Sequence, residues 1–281
     1  MKSDIKDICK SIERIDEYLR GKLRKAQLWE NTYICKQISK RKAGYEFIIK
    51  DHIRAMVYSM LSSGAAWERL EKHTDLKTGR ILPIDEIFYQ YEPEALLKSK
   101  PDKIYNSVKE LGCGSQYTHK QIKALTEVNI GTFHRLERQF GSVDNFYNRF
   151  TEADGSLKTL VLVLSSSDSP FKLKQMGEAL TAEYLKNVGY DIAKPDRHIR
   201  RILGSDILDC SDKKDVPIYE AFDIVAEIAK EMKTPVAEVD YILWSYCATG
   251  YGEICTMNKP KCNLCVTTKN CKVTRGGIRY G

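Results

Sequence analysis

Long apolar stretches are missing from this 281-residue chain. The longest unbroken one, Leu160–Leu164, falls far short of the roughly 20 residues a membrane-spanning helix needs, so no membrane partner is expected. Met1–Lys10 mixes lysine with aspartate and holds no apolar core, so no secretory signal is expected. Cysteine is sparse as well. Nine, an odd number, are too few for a secreted disulfide scaffold of this length. Internal repeats and low-complexity linkers are absent from the sequence. These absences point to a soluble protein of a reducing intracellular compartment, either cytoplasmic and nucleoid-associated or nuclear.

What is present is an ordinary globular composition, 42% hydrophobic and 30% charged, with a mean hydropathy of −0.42. That is enough apolar material for one large or two modest domains. The formal charge is +7, and it is uneven: residues 1–44 hold 12 Lys or Arg against 6 Asp or Glu. After Cys271 come Lys272, Arg275 and Arg279 with no acid. Basic ends on a balanced body suit a phosphate backbone, and they equally suit solvated helix faces.

Apolar spacing predicts helices nearly everywhere. Ile5, Ile8, Ile12, Ile15 and Leu19 recur at three- and four-residue intervals, and Phe47–Leu61 carries a denser stripe. Further helices are expected over 84–91, 93–98, 101–111, 118–126, 130–139, 142–150, 155–165, 178–188, 197–203, 216–231 and 235–247. A short one is expected to open at Ser169-Pro170. Pro170 and Pro235 sit as first-turn prolines do, and Gly189 as a glycine just past a helix end. Leu160–Leu164 has strand propensity, but no partner strand is in sight. The expected class is all-α.

Cys255, Cys262, Cys265 and Cys271 are separated by six, two and five residues. Four thiolates in so short a stretch can wrap one metal centre. Four cysteines also serve structural zinc, although zinc sites usually present two CxxC knuckles and here there is one. A compact run with unequal gaps suits an iron–sulfur cubane better. The other five, Cys9, Cys35, Cys113, Cys210 and Cys247, are expected to pack as small hydrophobes.

With the lead-in Tyr241–Gly252, this C-x6-C-x2-C-x5-C pattern resembles the endonuclease III-like branch of the helix-hairpin-helix DNA glycosylase superfamily. The resemblance implies a [4Fe–4S] cluster on the four cysteines. It also implies a loop whose Lys259, Lys261 and Lys269 meet DNA phosphate. Leu173–Gly189 resembles the family's hairpin and following helix, implying DNA contact by Lys172, Lys174, Gln175 and Gly177. A tight turn there would aim backbone N–H groups at a phosphate. Lys194–Arg201 resembles the catalytic stretch, with Asp196 at a helix N-terminus. Asp196 is a natural N-cap, and the resemblance adds a catalytic role, steadying an oxocarbenium-like sugar or orienting water.

The chain also departs from the family. The hairpin has Gln175 in place of the first glycine. Where bifunctional members carry a nucleophilic lysine, this chain has Ala179 or Glu178, so hydrolysis without strand cleavage is expected. Gly64 falls where many members insert a glutamine, and Ser59 where the adenine-specific branch has a glutamate. Trp67, Tyr58 and Tyr117 are candidates to stack on an extruded base.

The resemblance thus implies a helical barrel domain with the hairpin over 46–190, and a cluster domain from 1–45 plus 191–281, with DNA held between them. The expected activity is a monomeric, monofunctional DNA glycosylase of base excision repair, acting on double-stranded DNA with a damaged or modified base. The alternatives are a non-catalytic or redox-responsive DNA-binding protein of the same fold, and a bifunctional glycosylase/lyase with an unidentified lysine.

Overall fold

The computed structural model describes residues 3–62, 70–154, 157–267 and 271–275. Among these the chain is helical, with no β-strand and a single isolated bridge between Thr74 and Ile81. None of their helices is long and apolar enough to cross a membrane. In chain order the helices begin with α1 (Ile5–Lys22), α2 (Tyr33–Lys42) and α3 (Ile49–Leu61). They continue with α4 (Leu82–Ile87), α5 (Pro93–Lys98), α6 (Pro101–Glu110), α7 (Thr118–Ala124), α8 (Ile130–Phe140), α9 (Val143–Asp154) and α10 (Leu157–Ser165). The last are α11 (Glu178–Asn187), α12 (Arg197–Ile202), α13 (Ile218–Met232), α14 (Val236–Cys247) and the short α15 (Lys272–Arg275). They form two compact units, one of residues 1–31 with 191–281 (the terminal unit) and one of residues 32–190 (the middle unit).

In the terminal unit, Asp4 caps α1 by accepting from Lys6 N, and the expected stripe of Ile8, Ile12, Ile15 and Leu19 is buried. That face packs on α13 and α14, and α12 packs on α14. Pro235 stands at the N-cap of α14, one place before the first turn where it was expected.

In the middle unit, α3 is buried on nearly every side, and α11 and α8 pack against it. Residues 32–45, expected with the chain termini, belong here. Thr32 caps α2, and Arg41 on α2 makes a two-pronged pair with Asp144 (2.9 and 3.2 Å) while donating to the Val188 carbonyl (2.8 Å). Asp144 also accepts from Phe47 N (2.7 Å), and its oxygen lies 3.3 Å from His52 Nε2. Burial raises the Asp144 pKa, but His52 and Arg41 outweigh it and bring the carboxyl down to about 2. Gly189 closes α11 with φ +82°, and a Cβ there would sit 2.5 Å from the Gln37 carbonyl of α2, so the helix can end here only on glycine.

The helix expected over 155–165 runs from Leu157 to Ser165, and the strand propensity of Leu160–Leu164 is not realised: Leu160, Val161 and Leu164 are buried and Leu162 is exposed, which is not a strand's alternation. Two expectations are corrected. No helix opens at Ser169-Pro170, because the Ser166 and Ser169 hydroxyls accept from Asp168 N and Phe171 N and hold turns instead. The 84–91 helix stops at Ile87, and Tyr89, Gln90 and Tyr91 follow with φ of 52°, 52° and 63°, a left-handed turn without glycine. The Tyr91 hydroxyl anchors it on buried Asp85 (2.5 Å), which also accepts from Tyr58 (2.9 Å) and Arg80 (2.6 Å).

Candidate functional site

In the terminal unit, an extended segment leads into α12. Asp191 accepts from Ala237 N (2.9 Å), and Lys194 N donates to Asp240 (2.9 Å), so both ends of the segment are tied to α14. Asp196 then caps α12, with Oδ1 accepting from His198 N (2.8 Å) and Ile199 N (3.2 Å). Its Oδ2 takes no hydrogen bond among the described residues, and the residue is half-buried. One oxygen of this carboxylate is thus spent on the helix and the other is available. Burial lowers the pKa of neighbouring His198 below its ordinary value, against the pull of Asp196, so its imidazole is neutral near pH 7.

Arg201, in the last turn of the same short helix, points at the cysteines. Cys255, Cys262, Cys265 and Cys271 all line one small cavity of about 20 Å³, walled by Ile207, Ile254, Pro260 and Val273 and bordered by Arg201. Tyr246 organises the rim. Its carbonyl accepts from Ile254 N (3.0 Å) and Cys255 N (3.2 Å), and its hydroxyl donates to Cys265 Sγ (3.4 Å) while accepting from Val266 N (3.0 Å). Gly252 lies in the turn before Cys255, where a Cβ would come within 2.8 Å of Leu19 and 2.9 Å of the Ser245 carbonyl. Lys272 N, just past Cys271, donates to the Asp206 carbonyl (2.8 Å).

Among the described residues no three His, Cys, Asp or Glu side chains are gathered tightly enough to hold a metal ion. A zinc ion with Zn–S bonds near 2.3 Å would draw its thiolates to about 3.8 Å of one another. Four cysteines lining one cavity, with hydrogen bonds reaching two of the sulfurs, are a donor set of the kind that holds either a zinc ion or an iron–sulfur cluster. The Cys255 sulfur receives Arg201 Nη1 at 3.5 Å, and Arg201 also donates to the Cys255 carbonyl. A hydrogen bond from Cys247, with help from Arg201, outweighs burial and brings the Cys255 thiol down to about 6. The same bond, together with burial, pushes Cys247 well above the ordinary thiol value.

In the middle unit, the hairpin joins α10 to α11. Leu173 N donates to the Leu164 carbonyl (2.9 Å) and Met176 N to the Leu173 carbonyl (3.2 Å). Gln175, in place of a glycine, takes φ 62°. Asn129, fully buried at the end of a π-helical turn (Leu125–Asn129), clamps the hairpin: its Oδ1 accepts from Lys174 N (2.7 Å) and its Nδ2 donates to the Lys174 carbonyl (3.0 Å). Gly177 is the N-cap of α11, and a Cβ there would meet nothing within 4 Å, so the helix N-terminus opens on free space.

The lysines singled out from the sequence differ in what they touch. Lys174 and Lys259 are exposed, and neither has a hydrogen bond or ion pair from its ammonium among the described residues. Lys172 donates to the Ser165 carbonyl, and Lys261 pairs with Glu253 (3.0 Å). Lys269, Gly64 and Trp67 lie outside the described residues. Of the aromatic candidates, Tyr58 is core, 2% exposed with its hydroxyl on Asp85, whereas Tyr117 is 52% exposed. Sequence reasoning gave no role to Arg201 or Asn129 and treated Cys247 as packing. Cys247 is indeed buried, but its sulfur also meets Nη2 of Arg201 (3.7 Å), the arginine that borders the cavity.

No family model and no curated protein matches the chain. Among solved structures, it resembles a Methanocaldococcus jannaschii 8-oxoguanine DNA glycosylase at 19% identity, covering 83% of this chain and 92% of that one, with a TM-score of 0.49. It also resembles an 8-oxoguanine glycosylase/lyase of that organism in complex with DNA containing 8-oxoguanine, at 18% identity over 84% and 95% of the two chains, with a TM-score of 0.48. A likeness of this size assigns no residue.

Proposed function

We propose that the chain is a monofunctional DNA glycosylase carrying a [4Fe–4S] cluster on Cys255, Cys262, Cys265 and Cys271. The observation that carries this reading is the make-up of α12: six residues with a half-free aspartate at one end and an arginine reaching the cysteine cavity at the other. Such an arrangement joins a carboxylate suited to sugar chemistry with a cysteine site built for a cluster.

The substrate is double-stranded DNA with a damaged or modified base, turned out of the stack because its glycosidic bond is otherwise inaccessible. Asp196 Oδ2 steadies positive charge on the sugar as the C–N bond breaks, while Oδ1 stays in the helix cap and fixes its position. Water adds to the sugar carbon, the C–N electron pair leaves with the base, and the proton that the water loses ends on the released base. The cluster, when bound, supplies a covalent brace for the Cys255–Cys271 loop, and Lys259 on that loop offers its charge to phosphate. The open N-terminus of α11, with Lys174 beside it, offers a second phosphate seat. Glu178 and Ala179 provide no amine at the hairpin, which favours hydrolysis over lyase chemistry.

The test is base release by mass spectrometry from DNA carrying alkylated, oxidised and deaminated bases, 8-oxoguanine among them, with abasic products probed for breaks with and without alkali. Asp196→Asn is the informative variant, because asparagine keeps the cap. Release that falls by about a hundredfold or more in this variant, with breaks only after alkali, is the expected result. Unaltered release in the variant overturns the role of Asp196. Breaks without alkali overturn the monofunctional reading. Binding to DNA with no base released from any substrate favours the non-catalytic alternative.

A further inference from the structure

Cys247 does not line the cysteine cavity, yet it is in contact with a residue that does. Cys255, the first cysteine of the cavity, shares an arginine with it. One guanidinium holds both: Arg201 Nη1 lies 3.5 Å from Cys255 Sγ, and Nη2 lies 3.7 Å from Cys247 Sγ. The backbone enforces the meeting. After α14 ends at Cys247 the chain turns back, Gly252 N donates to the Ser245 carbonyl (2.9 Å), and Ile254 N and Cys255 N both donate to the Tyr246 carbonyl. Cys247 is 1% exposed and fixed at the end of a helix, while Cys255 reaches the cavity. The reversed loop and the shared guanidinium place the two sulfurs on one side of Arg201.

We propose that Cys247 is a resolving thiol for Cys255: when Cys255 holds no iron, hydrogen peroxide joins the two in a disulfide that withdraws Cys255 from the cavity. The regulatory part of this rests on the cluster reading above. The Cys255 sulfur takes one oxygen from peroxide, the O–O bond breaks, and water leaves a sulfenic acid behind. The Cys247 sulfur then attacks the sulfenic sulfur, the S–S bond forms, and the hydroxyl departs with the Cys247 proton as a second water. Both thiols are oxidised by two electrons in total and the peroxide is reduced by two. The disulfide leaves three cavity thiols, so cluster loading waits on a thiol reductant, and Cys255 is kept from irreversible oxidation meanwhile.

The experiment uses the full chain, first as isolated and then stripped of iron by a chelator and exposed to hydrogen peroxide. Remaining thiols are alkylated and the protein is cut with chymotrypsin, whose cleavage after Tyr251 separates Cys247 from Cys255 unless a disulfide joins them. The Cys247–Cys255 link is expected to be roughly tenfold more abundant than any other cysteine pairing. Iron and sulfide should then reload only after a thiol reductant is added. In Cys247→Ala, and in the size-matched Cys247→Ser, Cys255 should instead run on to sulfinic acid, and reductant should not restore loading. Fully alkylated Cys247 alongside Cys255 linked to Cys262, Cys265 or Cys271 overturns the proposal, as does equal recovery of loading in the two variants. Iron and sulfide in the protein as isolated test the cluster separately. Their absence, with the Cys247–Cys255 link still forming, overturns the cluster reading and its regulation and leaves the thiol pair standing.

Discussion

Asp144 offers the sharpest test of what holds the middle unit together. Its carboxylate takes both prongs of Arg41 and the Phe47 N–H, with His52 Nε2 beside it. Asp144→Asn keeps the shape and removes the charge, leaving the Arg41 side chain, 17% exposed, without its counter-ion. Breaking one half of a buried pair in this way costs about 3 kcal/mol or more. The pH dependence has a definite sign. The folded carboxyl titrates at about 2 and an ordinary one at 3.8, a gap corresponding to about 2–3 kcal/mol. That stabilisation is complete above the ordinary value and is lost as pH falls from about 4 to about 2, where the folded form also takes up its proton. Urea unfolding followed by circular dichroism would measure wild type and variant across this range. The difference between them should be about 3 kcal/mol near neutrality and should shrink below about 1 kcal/mol near pH 2. Other carboxylates titrate in both proteins and cancel in the comparison. Two stability curves running parallel down to pH 2 would refute the reasoning.

Other perturbations probe the two candidate sites. Asn129→Ala removes both bonds to the Lys174 backbone from a buried position, so thermal unfolding should show a loss of about 2–3 kcal/mol. If the hairpin seats a phosphate, the slope of log affinity for DNA against log salt should also become shallower by about one in that variant. Gly252→Ala drives a Cβ against Leu19 and the Ser245 carbonyl, and should destabilise by about 1–3 kcal/mol; if the cysteines hold the proposed cluster, metal analysis should also find less iron per chain. Tyr246→Phe deletes the bond to Cys265 and orphans Val266 N. It should cost about 1–2 kcal/mol, and if the cysteines hold the proposed cluster it should speed the loss of iron to a chelator.

Much of the fold was legible because its signal is local. The Ile8–Leu19 stripe announces its helix, and four cysteines within one short loop reach a common cavity because the chain between them is too short to separate them. Helix α2 was missed because its apolar content is thin, and it is secured from a distance by the Arg41–Asp144 pair and the Val188 carbonyl. Asn129 and Arg201 matter through partners that are 45 and 54 residues away along the chain, which no periodicity reveals. Cys247 looked like filler because only the fold-back at Tyr246 brings it to Cys255. Gln175 hid the hairpin's left-handed position, since glutamine seldom occupies it.

The Tyr89–Tyr91 turn bears on the order in which the middle unit assembles. Three successive L-residues in the left-handed region cost roughly 3–6 kcal/mol together, more than a short free peptide can offset. The turn therefore has no existence of its own before Asp85 is in place to receive the Tyr91 hydroxyl and Arg80 is in place to reach Gln90. Because Asp85 is itself gripped by Tyr58 from α3, the helices must come together first and the turn snap shut afterwards. The turn is therefore expected to close late in refolding, and a φ-value near 0 for Tyr91→Phe would be its signature.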